Sequence, residues 1–133
     1  MARIGLFGGS FNPIHSGHIN LAVSVMEKLM LDKVIFIPSG LAPHKSSSEY
    51  ADSADRLEMC RLATEEYESF EVSDYEINKS GKSYSVYTVE HFRKIFPDDE
   101  LFLMVGSDML LTFDTWFRYE AVSYTHLTLP TIA

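Results

Sequence analysis

The chain has 133 residues, a formal net charge of −8 at pH 7 and one cysteine. This length suits one modest domain with a hydrophobic core, and the acidic balance argues against a broad nucleic-acid surface. One cysteine excludes an internal disulfide, and no apolar run reaches the length of a membrane span. The sequence enters an apolar run at once, without the pattern of a secretory signal. We therefore expect a cytoplasmic protein without a membrane segment, in which local groups hold any anionic ligand.

Strand and helix patterns alternate in the first part of the chain. The apolar runs Arg3–Phe7 and Lys33–Pro38 predict buried strands, and apolar residues at helical spacing predict a helix over about Gly17–Leu31. This order is a βαβ unit, which implies parallel strands joined by a right-handed crossover. The polar stretch Ser39–Asp52 then predicts a long loop, of a length that is often functional.

The alternation continues after the loop, with helices over Ser53–Tyr67 and Ser85–Phe96 and strands over Phe70–Ser73 and Leu101–Val105. The stretch Asp74–Lys82 is polar and ends in a Ser-Gly-Lys turn, and two short helical stretches are expected further on, one through Leu111 and one near Trp116–Ala121. The fold class that this order predicts is α/β, with a Rossmann-like, doubly wound parallel sheet in one domain over residues 1–122.

The last segment, Ser123–Ala133, differs from the rest of the chain. It contains no Asp, Glu, Lys or Arg and continues neither the helical nor the strand period. We expect it to be a non-native segment joined on after a break, or an unstructured tail.

A glycine- and histidine-rich motif lies between the first strand and the first helix. Residues 8–18 read Gly-Gly-Ser-Phe-Asn-Pro-Ile-His-Ser-Gly-His. Glycines let a backbone approach a ligand closely, and a helix start offers unpaired N–H groups to an anion. His15 and His18, three residues apart, could neutralise charge on a reacting phosphate. Two alternatives are capping or packing histidines, and a metal pair with His44 as a third ligand.

Three further groups of residues are candidates for ligand contact, each with a structural alternative. His44 and Lys45 in the long loop could close over a triphosphate, or be solvated loop residues. Arg56 could reach the crevice, or pair with a nearby aspartate, Asp52 or Asp55. The last group lies further along the chain. Asp108, after Gly106, could bind a ribose or cap a helix, and Trp116 could stack on a ring or pack in the core. Tyr84 and Ser85 could bind a polar ring substituent or cap a helix.

The motif over residues 8–18 resembles that of the nucleotidylyltransferase superfamily, whose mark is His-x-Gly-His after the first strand. The whole motif, residues 8–18, resembles that of bacterial nicotinate-nucleotide adenylyltransferases. The downstream motifs follow in that family's order, so the resemblance covers Arg3 to about Val122. The resemblance implies the nucleotidylyltransferase fold. It also implies a reaction in which ATP and nicotinate mononucleotide give nicotinate adenine dinucleotide and pyrophosphate, with Mg²⁺ accompanying ATP and no metal held by the protein.

The resemblance also implies roles for individual residues. His15, His18 and Lys45 would be catalytic, the histidines at the transition state and the lysine on the leaving phosphates. The residues expected at ATP are Gly8, Gly9, Ser10, Phe11, His44, Gly106 and Asp108. The residues expected at the mononucleotide are Ser39, Tyr84, Ser85 and Trp116.

Two departures from the family pattern affect these expectations. Ser85 stands where members commonly have Thr, and the chain lacks the Ile-Ser-x-Thr-x-(Ile/Val)-Arg element and the closing elements that follow it. We therefore expect a C-terminally truncated domain with weak or no activity. The rival functions are phosphopantetheine adenylyl transfer, where Thr is usual at position 15, and nucleotide binding without catalysis. The preference for the acid over the amide mononucleotide comes from the family alone.

Overall fold

A computed structural model of the chain describes residues 1–40, 52–78, 85–104 and 126–128. In this part, the strands are β1 (Arg3–Gly9), β2 (Lys33–Pro38), β3 (Phe70–Val72), β4 (Glu100–Met104) and β5 (His126–Thr128), and the helices are α1 (Ser16–Leu29), α2 (Ser53–Thr64), α3 (Tyr75–Asn78) and α4 (Ser85–Ile95). The helical stretches expected near Leu111 and Trp116 lie outside the described residues. Among the helices that are described, none is long and apolar enough to cross a membrane.

The strands form one parallel sheet in the order β3-β2-β1-β4-β5. Side chains alternate between its two faces, and both faces are apolar because each is covered by helices. One face packs on α1 and α2; its buried residues include Phe7, Val34, Phe36, Phe102 and Met104, with Ile19, Ala22, Val25 and Cys60 from the helices. The other face packs on α4; its buried residues are Ile4, Leu6, Ile35, Ile37, Leu101 and Leu103, with Val89 and Phe92 from the helix. The predicted α/β, doubly wound fold is confirmed.

The position of β1 in this order determines where a ligand can bind. β1 pairs with β2 on one side and with β4 on the other. The chain leaves β1 for α1 on one face of the sheet, whereas it enters β4 from α4 on the opposite face. The strand order therefore reverses between β1 and β4, and in open α/β sheets the binding crevice lies at the carboxyl ends of the strands at such a point. The glycine motif follows that end of β1 directly.

Helix α3 lies within the polar stretch Asp74–Lys82, for which the sequence indicated no helix. It has four residues, too few to show a helical period. Side chains outside the helix stabilise it. The Ser73 Oγ accepts a hydrogen bond from the Tyr75 N–H at 3.2 Å, and the buried Thr88 hydroxyl donates to Glu76 Oε2 at 2.6 Å. The Tyr75 ring stacks on His91 with ring centroids 3.9 Å apart. Tertiary contacts with α4 therefore hold α3, and local pattern cannot show them.

Strand β5 lies within the C-terminal segment for which no element was predicted. Its backbone pairs in parallel with β4, with Phe102 opposite His126 and Met104 opposite Thr128. These three residues are extended and paired within the segment expected to be non-native or unstructured, because an edge of β4 offers N–H and C=O groups that an extended segment can meet.

The close contact of Gly40 with α3 leads to a prediction about stability. A Cβ on Gly40 would lie 2.6 Å from the Glu76 carbonyl oxygen of α3, which is backbone and cannot rotate away. We expect Gly40→Ala to lower the free energy of unfolding by about 1–3 kcal/mol, as overpacking does elsewhere. Gly8→Ala is the control, because a Cβ on Gly8 meets no atom within 4 Å. Urea unfolding of both variants checks this, and equal midpoints would contradict it.

Candidate active site

Two histidines form the N-terminal cap of α1. His15 is the N-cap residue, with φ −144° and ψ 177°, and its Nδ1 accepts a hydrogen bond from the Gly17 N–H at 3.0 Å. The His18 Nδ1 accepts from the His15 N–H at 3.1 Å. This is the reciprocal arrangement of a capping box, in which Ser or Thr and Glu or Gln are the usual partners. The capping alternative is therefore correct as geometry, but it uses only one nitrogen of each ring.

The cap determines which nitrogen of each ring is left for a ligand. Because each Nδ1 accepts from a backbone N–H, it carries no hydrogen, and a neutral imidazole must then carry its hydrogen on Nε2. The His15 and His18 rings lie side by side with centroids 4.0 Å apart and planes tilted by 35°. Two Nε2–H donors on adjacent rings at a helix start can both donate hydrogen bonds to an anionic oxygen.

The surroundings of His18 favour its neutral form. Its ring is partly buried and meets the edges of Phe11 and Phe7, with ring centroids 5.1 and 6.2 Å away. Burial lowers the pKa of His18 from its ordinary value of 6.5, and the charge of the neighbouring His15 lowers it further. Both effects favour the neutral imidazole, whose hydrogen lies on Nε2 because Nδ1 accepts from the His15 N–H.

Gly17 makes room for the His15 ring. A Cβ at position 17 would lie 2.8 Å from Cε1 and 2.9 Å from Nδ1 of His15, closer than side chains approach each other. The imidazole can fold back onto the helix start only because residue 17 has no side chain. This is the physical reason for a glycine between the two histidines.

The residues before the cap differ in what they can offer a ligand. Phe11 has a positive φ of 46°, and its buried ring packs on Phe7 and Phe36 at 5.3 and 5.8 Å. Any contact of Phe11 with ATP would therefore use its backbone. A Cβ on Gly9 would touch the Phe11 ring at 3.5 Å, whereas Gly8 is exposed and faces open space. Gly8 is the glycine that leaves space for a ligand at the end of β1.

The end of β2 lies beside this turn. The Ser39 N–H donates to the Gly9 carbonyl at 2.8 Å, so the structure brings the predicted residue Ser39 to the glycine motif. The Ser39 Oγ is buried and has no hydrogen-bond partner among the described residues. Arg56 contacts the same edge from the buried side, donating to the carbonyls of Ser10 and Ser39. The sequence alternatives for Arg56 did not include these backbone acceptors.

The other predicted site residues cannot be placed beside these. Ser85 begins α4, and only its backbone is described. The remaining candidates lie outside the described residues: His44, Lys45, Tyr84, Gly106, Asp108 and Trp116. Within the described ranges, no group of three or more His, Cys, Asp or Glu side chains is placed to hold a metal ion. The histidine pair thus has no third metal ligand in that part of the chain.

Fold and site together define a Rossmann-like α/β protein with a pair of capping histidines at the topological switch point. The chain belongs to the cytidylyltransferase-like family, whose profile matches residues 6–128.

Relatives within the family carry more specific names. The chain is 45% identical over 122 residues to a "probable nicotinate-nucleotide adenylyltransferase" of Clostridium tetani, covering 92% of this chain and 61% of that protein. It is 47% identical over 118 residues to a protein of the same name from Desulfatibacillum aliphaticivorans, covering 89% and 54%. The chain therefore spans between 54% and 61% of the length of these two relatives.

A solved structure shares the fold at low sequence identity. It is the Plasmodium falciparum nicotinic acid mononucleotide adenylyltransferase complexed with NaAD, with a TM-score of 0.84 and 15% identity. The match covers 100% of this chain and 68% of the other. At this identity the likeness supports the fold assignment.

The Gly17 contact generates a prediction that separates the site from the fold. Gly17→Ala should displace the His15 ring and break its bond to the residue 17 N–H. The free energy of unfolding should change by less than about 1 kcal/mol, since alanine favours the helix. Long-range ¹H–¹⁵N NMR of the imidazoles checks this, because Nδ1 of His15 should shift. The neighbouring exposed Ser16→Ala is the control; unchanged imidazole shifts in Gly17→Ala would contradict the prediction.

The lowered pKa of His18 generates a prediction about pH. The unfolded chain binds a proton near pH 6.5, whereas the folded chain binds it only at lower pH, so stability falls as pH drops through that range. His18→Gln keeps an amide acceptor at this capping position but does not titrate. We expect the loss of stability between pH 7.5 and the lowered folded pKa to be smaller in His18→Gln than in the wild type. Thermal melts across pH test this, and parallel curves for both proteins would contradict it.

Proposed function

We propose that the protein transfers AMP from ATP to nicotinate mononucleotide, which gives nicotinate adenine dinucleotide and pyrophosphate. The observation that carries the proposal is the pair of Nε2–H donors held by the capping box at the switch point of the sheet. The names of the relatives that share this sequence support the choice of substrates. A cytoplasmic location, where both nucleotides would be available, is part of the proposal.

The proposed step is a direct displacement at phosphorus. An oxygen of the mononucleotide's phosphate forms a bond to the α-phosphorus of ATP, and the bond from that phosphorus to the bridging oxygen breaks. Pyrophosphate leaves with the electron pair. The attacking phosphate needs no deprotonation by the enzyme, so the enzyme's contribution is positioning and stabilisation of charge. His15 and His18 supply hydrogen bonds to the oxygens of the reacting phosphate, where negative charge builds up.

Mg²⁺ enters this proposal with ATP, as part of the substrate. Mg²⁺ prefers oxygen ligands and is commonly bound through the phosphates of a nucleotide. The described residues around the histidine pair offer imidazole nitrogens, which suit this ion poorly, so they do not form a dedicated site for it. The ion would partly neutralise the phosphates that the histidines approach.

The remaining site residues have proposed roles of different strength. The buried Ser39 hydroxyl, which has no partner among the described residues, supports a contact with the mononucleotide. Gly8 supports ATP binding because a Cβ would fill the open space at the end of β1. For the residues beyond the described ranges, we propose that Lys45 and His44 hold the leaving phosphates, Gly106 and Asp108 the adenosine, and Tyr84, Ser85 and Trp116 the pyridine ring.

The experiment that tests the function is a comparison of acceptors. Pyrophosphate release from ATP and Mg²⁺ is measured with nicotinate mononucleotide, nicotinamide mononucleotide and phosphopantetheine. The chain is tested as it stands and fused to the C-terminal remainder of the Clostridium tetani relative. With nicotinate mononucleotide we expect turnover in the fusion, and weak or no turnover in the chain as it stands. Turnover with phosphopantetheine alone would overturn the substrate assignment, and ATP binding without pyrophosphate release in either form would favour a binding protein.

Variants of the histidine pair test the proposed chemistry. We expect His15→Ala and His18→Ala each to lower kcat of the active form by about 10²–10³, the loss typical when a donor to a developing charge is removed. His18→Gln retains the cap and serves to separate catalysis from helix stability. Full activity in His15→Ala would show that the pair serves only as a cap.

A further inference from the structure

Arg56 is the largest fully buried side chain in the described part of the protein, with 1% of its surface exposed. It lies in the first turns of α2, yet its guanidinium extends to the ends of two strands. Its Nη1 donates to the Ser10 carbonyl at 2.8 Å and to the Ser39 carbonyl at 2.7 Å. Its Nη2 donates to the Gly40 carbonyl at 3.2 Å and to the Ser53 hydroxyl at 3.1 Å.

These bonds join two separate turns of the site. Ser10 follows β1 and belongs to the turn proposed to meet ATP. Ser39 and Gly40 follow β2 and belong to the turn proposed to meet the mononucleotide. One nitrogen of Arg56 bonds to both turns, and the Ser39 N–H adds a bond to the Gly9 carbonyl. The guanidinium thus adds side-chain bonds to both turns, next to the backbone bond between Ser39 and Gly9.

Arginine suits this task because of its geometry. A guanidinium has five N–H donors in a rigid plane, so it can bond several carbonyls in fixed directions. A lysine ammonium has three donors on one atom and cannot reproduce the two-nitrogen fork. Burial of a charged group is costly unless its donors are satisfied, which makes any departure of the carbonyls from these positions unfavourable.

We propose that Arg56 is a positioning residue, which holds the ATP-facing turn and the acceptor-facing turn at the separation that transfer between the two substrates requires. This inference rests on the proposed function. Arg56 contacts neither substrate in this arrangement and acts through the carbonyls of Ser10, Ser39 and Gly40.

The experiment measures the coupling of the turns and the binding of ATP separately, in the chain as it stands. Hydrogen exchange of the Ser39 amide, whose N–H is bonded to Gly9, reports the coupling without ligand. The affinity for ATP with Mg²⁺, from calorimetry, reports the site. The variants are Arg56→Met and Arg56→Lys, with Ser53→Ala as a milder change that removes one acceptor. Arg61→Met is the matched control, because Arg61 is an exposed arginine on the same helix.

We expect exchange of the Ser39 amide to accelerate about tenfold or more in Arg56→Lys, since bonds to a charged group are lost locally. Amides in the centre of β2, such as Phe36, should keep wild-type exchange, which distinguishes this from global destabilisation. ATP affinity should fall about tenfold in the same folded variant. If Arg56→Met does not fold, Arg56→Lys and Ser53→Ala decide, with Ser53→Ala expected to show smaller effects in the same direction.

Three results would overturn the inference. Wild-type exchange at Ser39 in Arg56→Lys would show that the guanidinium does not couple the turns. Faster exchange with wild-type ATP affinity would show a structural role only. Failure of the wild-type chain to bind ATP would overturn the proposed function, and with it the positioning role, while the exchange data would still report whether the turns are coupled.

Discussion

The pairing of β1 with a strand on each side is the constraint on which the rest of the structure depends. β1 is central in the sheet, bonded to β2 and β4, and the side chains of Ile4, Leu6 and Phe7 are buried on one face or the other. A strand held in this way delivers its carboxyl end to a defined place, between connections that leave on opposite faces. The glycine turn and the start of α1 follow β1 directly, so the position of β1 determines where they lie. The packing of β1 in the core therefore determines where the histidine pair lies.

At the start of α1, one pair of side chains serves both structure and chemistry. An imidazole has two nitrogens with different roles, and the Nδ1 of each histidine satisfies or completes the cap while Nε2 remains for a ligand. The Ser and Glu side chains of an ordinary capping box have no second ring nitrogen of this kind. Gly17 permits this double use by leaving space for the His15 ring. Arg56 donates hydrogen bonds to backbone carbonyls of the two neighbouring turns.

Much of the architecture could be predicted from the sequence because buried parallel strands and amphipathic helices leave strong periodic patterns. The observed β2 has the predicted bounds, and α1 and α4 differ from prediction by one or two residues at their ends. No element was predicted for α3 or β5, because both are short and depend on partners distant in sequence. The Glu76–Thr88 bond holds α3, and β4 pairs with β5. The depth of Phe11 and the acceptors of Arg56 were likewise beyond local pattern, because both depend on where two loops meet.

The sequence by itself determined the alternation of strands and helices, the glycine motif after β1 and the two histidines spaced to share one helical turn. These are local properties, since they follow from residue types and their spacing. Only the tertiary structure decided which imidazole nitrogen is used by the cap, which glycine faces open space, and that Ser39 lies beside Gly9. The capping nitrogen depends on how the two imidazoles fold back on the helix start, and the place of Ser39 depends on the hydrogen bond to Gly9 that forms when β1 and β2 pair. Spacing along the chain gives neither of these contacts.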